Sequence, residues 1–307
     1  MLYDVVIIGG GPAGLTAGLY TSRARLKSLL IEKGLPGGQV TTAEFIENYP
    51  GFDEGISGVE LSQKMERQAK KFGLEVIQDN VLNISLDGKI KKVTLEYNKG
   101  GCEAKAIIIA TGAHPRYVGV PGENEFRGKG VSYCAICDGA FFKDEKVAVV
   151  GGGDSAVEEA IFLTKFAEIV YIIHRRDRLR AAKIIQERAF SNPKIKITWN
   201  SVIKKIDGDN TVKALHIKNV ITQEESVLDV QGVFIFVGYN PNTEFLKGLV
   251  DINKNNYIIT DENMRTSVTG VFAAGDVRAK ALKQIATAVG DGAIAAVSAE
   301  KYIEENF

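Results

Sequence analysis

Two stretches of the chain carry the same order of apolar run, glycine cluster and helix-like segment. In DVVIIGGGPAGLTAGLYTSRA, the apolar run Val5 to Ile8 stops at glycines, which marks a short buried strand. Gly9, Gly11 and Gly14 then fall at G-x-G-x-x-G spacing ahead of the predicted helix. In KVAVVGGGDSAVEEAIFLTKF, Val147 to Val150 is the strand, and Gly151, Gly153 and Ala156 give G-x-G-x-x-A. Each unit runs on into a second apolar strand, Ser28 to Ile31 in the first and Ile169 to Ile173 in the second. Strand-and-glycine elements recur in AIIIATGA, which closes the first half, and in GVFAAGDV, which is followed by the helical pattern QIATAVGDGAIAAVSAEKYI.

If that last segment completes the first domain, the second domain is an insertion within it. The expected fold is α/β, with two Rossmann-like dinucleotide-binding domains of three-layer ββα type, the second inserted in the first. The expected division is 1–114, 115–243 and 244–307. The crossings fall near 114–120 and 239–244, which contain Pro115 and Pro241, with Pro121 just beyond the first.

The strand ends carry the first chemical information. Glycines at this spacing allow a tight turn and close backbone approach, and the helix N-terminus then faces a pyrophosphate. The second strand of the first unit ends at Glu32, placed to accept from a ribose hydroxyl. The second unit has His174 at the same offset, 23 residues after its first glycine, followed by Arg175, Arg176 and Arg180. Guanidinium groups suit a 2′-phosphate that a carboxylate would repel. The second site is therefore expected to prefer NADPH to NADH. The other reading of HRRDRLR is a solvated basic turn.

Composition narrows the class. Lys+Arg and Asp+Glu both total 38, so no net field favours nucleic acid or a membrane surface. No apolar run approaches the roughly 18 residues of a membrane span, and MLYDVVIIGG reads as a strand and not as a signal peptide. Three cysteines are no extracellular disulfide framework, so a cytoplasmic setting is expected.

Two of those cysteines, Cys134 and Cys137, stand three positions apart in VSYCAICDGAFF. Zinc needs about four ligands, and the remaining candidates, Cys102, His114, His174 and His216, are scattered, so no metal is expected. A structural disulfide closing so short a loop stabilises little. A redox couple is favoured, and NADPH hydride would reach it through a flavin, which accepts hydride and is open to thiolate attack. The first cradle would then hold FAD. Asp138 is a candidate general acid, or an N-cap of the segment that follows, and both can hold. Cys102 reads as incidental, Trp199 as packing, and His114 and His216 as structural.

The order GGGPAG, GGQVTTAEFIENYPGF, ATGAHPR, SYCAICDGAFF, GGGDSA, HRRDRLR, GVFAAGDV and QIATA covers nearly the whole chain. It closely resembles the low-molecular-weight thioredoxin reductases of bacteria and archaea, and CAICDG just before GGGDSA is its most specific part. The resemblance implies a homodimer with an FAD domain and an inserted, rotating NADPH domain. It implies that NADPH reduces FAD, FAD reduces the active-site disulfide, and the dithiol reduces thioredoxin, with Cys137 nearer the flavin. Carried onto matching positions, the FAD contacts are Gly9, Gly11, Pro12, Ala13, Gly14, Glu32, Gln39, Asn48, Thr111, Gly275, Asp276, Gln284 and Ile285. Lys283, Gln284 and Ile285 stand where the family usually has Arg-Gln-Ala. The NADPH contacts are Gly151, Gly153, Asp154, Ser155, His174, Arg175, Arg176 and Arg180. Some similar reductases lack the cysteine pair and reduce ferredoxin or low-molecular-weight disulfides, and others keep the cysteines, lose the second cradle and take electrons from ferredoxin; this chain has both pair and cradle. Peroxiredoxin reductases with this core carry a thioredoxin-like N-terminal extension, which is not expected here. The alternative activity is a flavin-dependent dithiol oxidase, or an NAD(P)H oxidase, using oxygen.

Overall fold

The computed structural model describes residues 1–307 except Glu44, Phe45, Glu47, Asp87 and Cys134, and the side chains of Thr42, Ile136 and Cys137. The chain forms two compact units, Met1–His114 with Asn240–Phe307, and Pro115–Tyr239. The second junction falls ahead of the expected 243/244. Asn242 explains why: its N–H donates to Gly112 O (3.0 Å), its Nδ2 to Thr111 O (2.7 Å), and its Oδ1 meets His114 Nδ1 (2.6 Å), so it belongs to the first unit.

In the first unit, β1 (Leu2–Ile8) leads through the glycines to α1 (Pro12–Arg23) and β2 (Ser28–Glu32). Then come α2 (Gly58–Lys71), β3 (Glu75–Gln78), the antiparallel pair β4 (Val81–Ser85) and β5 (Lys91–Leu95), β6 (Cys102–Ile109) and the short β7 (Ala113–Pro115).

The second unit starts with β8 (Val131–Ser132), the one-turn α3 (Ala135–Asp138), β9 (Lys146–Gly151), α4 (Asp154–Leu163) and β10 (Ile169–Ile173). α5 (Lys183–Phe190) and β11 (Ile195–Thr198) follow, then the meander β12 (Ser201–Gly208), β13 (Val212–Asn219) and β14 (Glu225–Asp229). β15 (Gly232–Phe236) closes its parallel sheet, and β16 (Tyr239–Pro241) pairs with β7. The chain then supplies β17 (Val271–Ala273) and the long α6 (Ile285–Asn306).

The sheet of the first unit runs β3-β2-β1-β6-β5-β4, with β17 parallel to the C-terminal half of β6. Its central strands are buried on both faces, hence the unbroken apolar runs. One face packs on α1, α2 and α6 around Leu15, Ala17, Ala295 and Ala299. In the second unit the order is β11-β10-β9-β15-β8. One face carries α4 and α5, and the other packs on the β12–β14 sheet through Ile203, Ile206 and Leu215. This is the sheet-on-sheet-on-helix layering expected of the α/β fold.

Candidate functional site

The first cradle is shaped by glycines with different duties. Gly9 has φ +106°, and a side chain there would overlap the Ala110 carbonyl. At Gly14 a side chain would overlap the carbonyl oxygen of Gly9, so α1 can close on β1 only without one. Nothing lies within 4 Å of a Cβ placed on Gly11, the N-cap of α1. The helix starts with Pro12, and its first turn has neither a capping side chain nor an acid. That end suits an anion. Ala13 sits in the same turn, buried against Gly275, where an added Cβ would come within 2.8 Å of the Ala13 Cβ.

Glu32 is held in place by two backbone N–H groups, Gly10 to Oε2 (2.6 Å) and Gly34 to Oε1 (2.9 Å), which leaves lone pairs for a ribose. The exposed Gln39 lies on the turn Gly38–Thr42. Gly37 ties that turn to the glycine loop by donating to Gly10 O (2.7 Å). Asn48 Nδ2 donates to Gln284 Oε1 (3.1 Å) across 236 residues. Gln284 also caps α6 through a reciprocal pairing with Thr287. Ile285 packs with Val40 and Ile46. Asn48 to Asp53 line an open cleft of about 500 Å³. The Thr111 hydroxyl is spent on Asn242 O (2.8 Å).

Asp276 carries the sharpest polar feature. Its Oδ1 is buried without a hydrogen-bond partner among the described residues, and burial pushes the carboxyl up from its ordinary range. Lys280 Nζ stands 3.7 Å away, at ion-pair but not hydrogen-bond distance. Beneath it lies a network that the motifs did not reveal. Asp291, buried on α6, accepts from Gly275 N–H (3.0 Å), Arg278 (2.9 Å) and Lys280 (2.9 Å). Its only signal in the sequence is a charge inside the apolar pattern of α6. Lys283, at the position where the family resemblance expects arginine, sits 4.0 Å over the Tyr257 ring, and burial pulls its ammonium down. The residues of this unit fit FAD: open space before Gly11, an uncapped helix start, a fixed Glu32, and a buried acceptor on Asp276 suited to a polyol hydroxyl.

The second cradle repeats the build. Gly151 is packed against Phe236 and Ala156, and Gly153 is open in front and caps α4 with no side-chain bond. Asp154 Oδ1 accepts from Ala182 N–H (2.6 Å), and Arg180 N–H donates to Gly152 O (2.6 Å), so the arginine loop is tied to the glycine loop. Ser155, Arg175, Arg176 and Arg180 are exposed. His174, expected beside them, points the other way. It is 5% exposed beneath Gly152, edge-on to Trp199 at 6.4 Å, and its Nε2 has no partner among the described residues. Burial, with Arg180 and Arg176 nearby, pulls its pKa down, so the ring is a neutral support for the loop.

Cys134 lies outside the described residues, and Cys137 belongs to α3. Asp138 stands at the N-cap of the turn Gly139–Phe142, but its side chain makes no capping bond there. Phe142 anchors this segment edge-on to Phe234 at 5.3 Å. Before it, Tyr133 OH donates to the buried Glu123 (2.7 Å), which also accepts from Val118 and Gly119 N–H. Cys102 is buried on β6 with its thiol pushed up to about 11, which makes it inert. Among the described residues no His, Cys, Asp and Glu cluster could hold a metal, and no helix is long and apolar enough to cross a membrane.

Paired glycine cradles and a Cys-x-x-Cys on one chain define a class, and the pyridine nucleotide-disulphide oxidoreductase family matches residues 3–292. The chain belongs to that family. Within it, the chain is 51% identical over its whole length to the thioredoxin reductase of Peptoclostridium acidaminophilum, covering 98% of that protein. It is 52% identical to that of Bacillus subtilis, over 99% of this chain and 96% of that one. The crystal structure of the Lactococcus lactis thioredoxin reductase superposes with a TM-score of 0.96 at 50% identity, covering 99% of both chains. That of the T. acidophilum enzyme gives 0.93 at 35% identity, also over 99% of both.

Proposed function

We propose that this chain is an NADPH-dependent thioredoxin reductase. Electrons enter as the hydride of NADPH in the second unit and leave through the Cys134–Cys137 pair to a thioredoxin disulfide. FAD, when bound, supplies the two-electron chemistry that couples a hydride donor to a disulfide. The observation that carries this reading is the contrast between two cradles of one build. One strand ends in a fixed carboxylate, Glu32, and the other leads into exposed Arg175, Arg176 and Arg180 tied to the glycine loop.

The remaining roles follow from position. Gly9, Gly11 and Gly14 let the backbone approach a pyrophosphate at the start of α1, and Glu32 accepts from the ribose. Asp276 accepts from the ribityl chain, while Asn48 and Gln284 hold each other at the start of α6. In the second unit Gly151, Gly153, Asp154 and Ser155 shape the site for the nucleotide phosphates, the arginines select the 2′-phosphate, and His174 supports the loop from beneath. Asp138, with no capping bond to satisfy, is available to hold the proton that a leaving thiolate takes.

The working form is a cytoplasmic homodimer, and exposed Tyr20 on α1 with Ile294 and Val297 on α6 supply apolar surface for it. The test is a thiol count: protein oxidised at the pair, exposed anaerobically to NADPH, gains two alkylatable thiols. Flavin bleaching without new thiols would overturn the assignment of the pair.

A further inference from the structure

The two cradles differ at the first helical residue in a way that phosphate binding does not explain. In the first unit α1 begins with Pro12 and has no acid in its first turn, whereas α4 begins with Asp154. A carboxylate in that turn opposes a pyrophosphate brought to the helix start. Its hydrogen bond points to another duty. Asp154 Oδ1 accepts from the N–H of Ala182 (2.6 Å), the N-cap of α5, whose own side chain makes no capping bond.

That bond belongs to a set that pins the arginine loop at both ends. Residues 174–182 join β10 to α5 and carry Arg175, Arg176 and Arg180. At the β10 end, His174 N–H donates to Thr198 O (3.0 Å) and Ser201 N–H to His174 O (2.9 Å), while Asn200 N–H donates to Arg176 O (3.2 Å). At the α5 end, Arg180 N–H donates to Gly152 O (2.6 Å). Gln186, buried on α5, donates from Nε2 to Ala181 O (2.7 Å). Leu179 and Ala181 are buried in the core cluster shared by α4 and α5, and Arg180 between them is exposed. The backbone on both sides of Arg180 is thus fixed, and its side chain stands outside.

We propose that Asp154 and Gln186 are positioning residues for the 2′-phosphate: they act without touching the nucleotide, by holding Arg180 at the edge of the second cradle. The loop is ordered before the ligand arrives, so little freedom is lost when the guanidinium engages it. Asp154 weakens pyrophosphate binding and sharpens selection of the phosphorylated ribose, so its net effect is on specificity and not on affinity.

This inference rests on the reading of the second cradle as an NADPH site. The experiment is equilibrium titration of the oxidised, FAD-loaded protein with NADP⁺ and with NAD⁺, which differ only in the 2′-phosphate. The wild type should bind NADP⁺ about tenfold tighter or more, the worth of one charge-assisted bond. Asp154→Ala removes the acceptor and should lower that ratio about fivefold, with NAD⁺ bound at least as tightly as by the wild type. Asp154→Asn keeps an oxygen for Ala182 N–H and should restore the ratio. Gln186→Ala leaves the glycine turn and the arginines in place and should lower the ratio as Asp154→Ala does. If Gln186→Ala does not fold, the two Asp154 variants decide alone. Equal loss of affinity for both nucleotides in Asp154→Ala would make Asp154 a direct ligand and overturn the inference. The two readings fail separately. A wild type that binds both nucleotides equally overturns the NADPH reading itself, and a wild-type preference that the variants keep overturns only the role of Asp154 and Gln186.

Discussion

In the proposed function single side chains decide which nucleotide binds, and Glu159 on α4, whose Oε2 is buried without a hydrogen-bond partner among the described residues, bears on how stability follows pH. Arg175, Arg176 and Arg180 are exposed, so removing their charges disturbs no packing. Arg176→Ala together with Arg180→Ala should raise the NADPH KM by tenfold or more, since charge-assisted bonds are worth roughly 1.5–3 kcal/mol each, and should leave the NADH KM nearly unchanged. Equal affinity of the wild type for both nucleotides would contradict the reading. Glu159 gives a stability prediction with a definite sign. Its pKa is raised in the fold to about 7, so the unfolded chain ionises first. Stability therefore falls as pH rises from about 4.5 to about 7, and the loss persists above. Glu159→Gln should be more stable than wild type at pH 8 by about 2–3 kcal/mol and should lose that advantage near pH 4.5, as urea unfolding at the two pH values would measure. His174 shows where residue-level reading stops. Its place at a strand end was legible, but successive side chains on a strand face opposite ways, and only packing against Trp199 fixed which way this one turned.

At the level of elements, the two glycine units were legible because each strand is buried on both faces and each turn opens on a glycine, Gly9 or Gly151, where a side chain would overlap a neighbouring carbonyl. Their glycines are not equivalent, which can be tested. Gly14→Ala drives a methyl into the carbonyl of Gly9 and should prevent α1 from closing on β1, so soluble folded protein should be lost. Gly11→Ala meets nothing within 4 Å in the fold and should leave thermal stability within a few degrees while lowering FAD retention. Asp291→Asn keeps the shape but strands Arg278 and Lys280, at a cost of about 3–5 kcal/mol in denaturant unfolding. The β12–β14 sheet and the β4–β5 pair left little trace in the sequence. Their strands mix a few buried positions with many half-buried and exposed ones, and they owe their order to the sheet or the neighbours they cover. Asp291 was hidden for a related reason, since what makes it special is the loop that folds back onto α6.

For the whole molecule, the proposed function gives the two units different halves of one reaction: the flavin cradle to the first, the nucleotide cradle and the cysteine pair to the second. The insertion was legible because the late GVFAAGDV strand needs the first sheet, and it pairs with β6 there. The central claim is most directly tested by anaerobic NADPH oxidation with an oxidised thioredoxin as sole acceptor, comparing the wild type with Cys134→Ser and Cys137→Ser. Sustained turnover in the wild type and none in either variant is the predicted result. A flavin reduced by NADPH with no turnover, or turnover that survives loss of a cysteine, would contradict it.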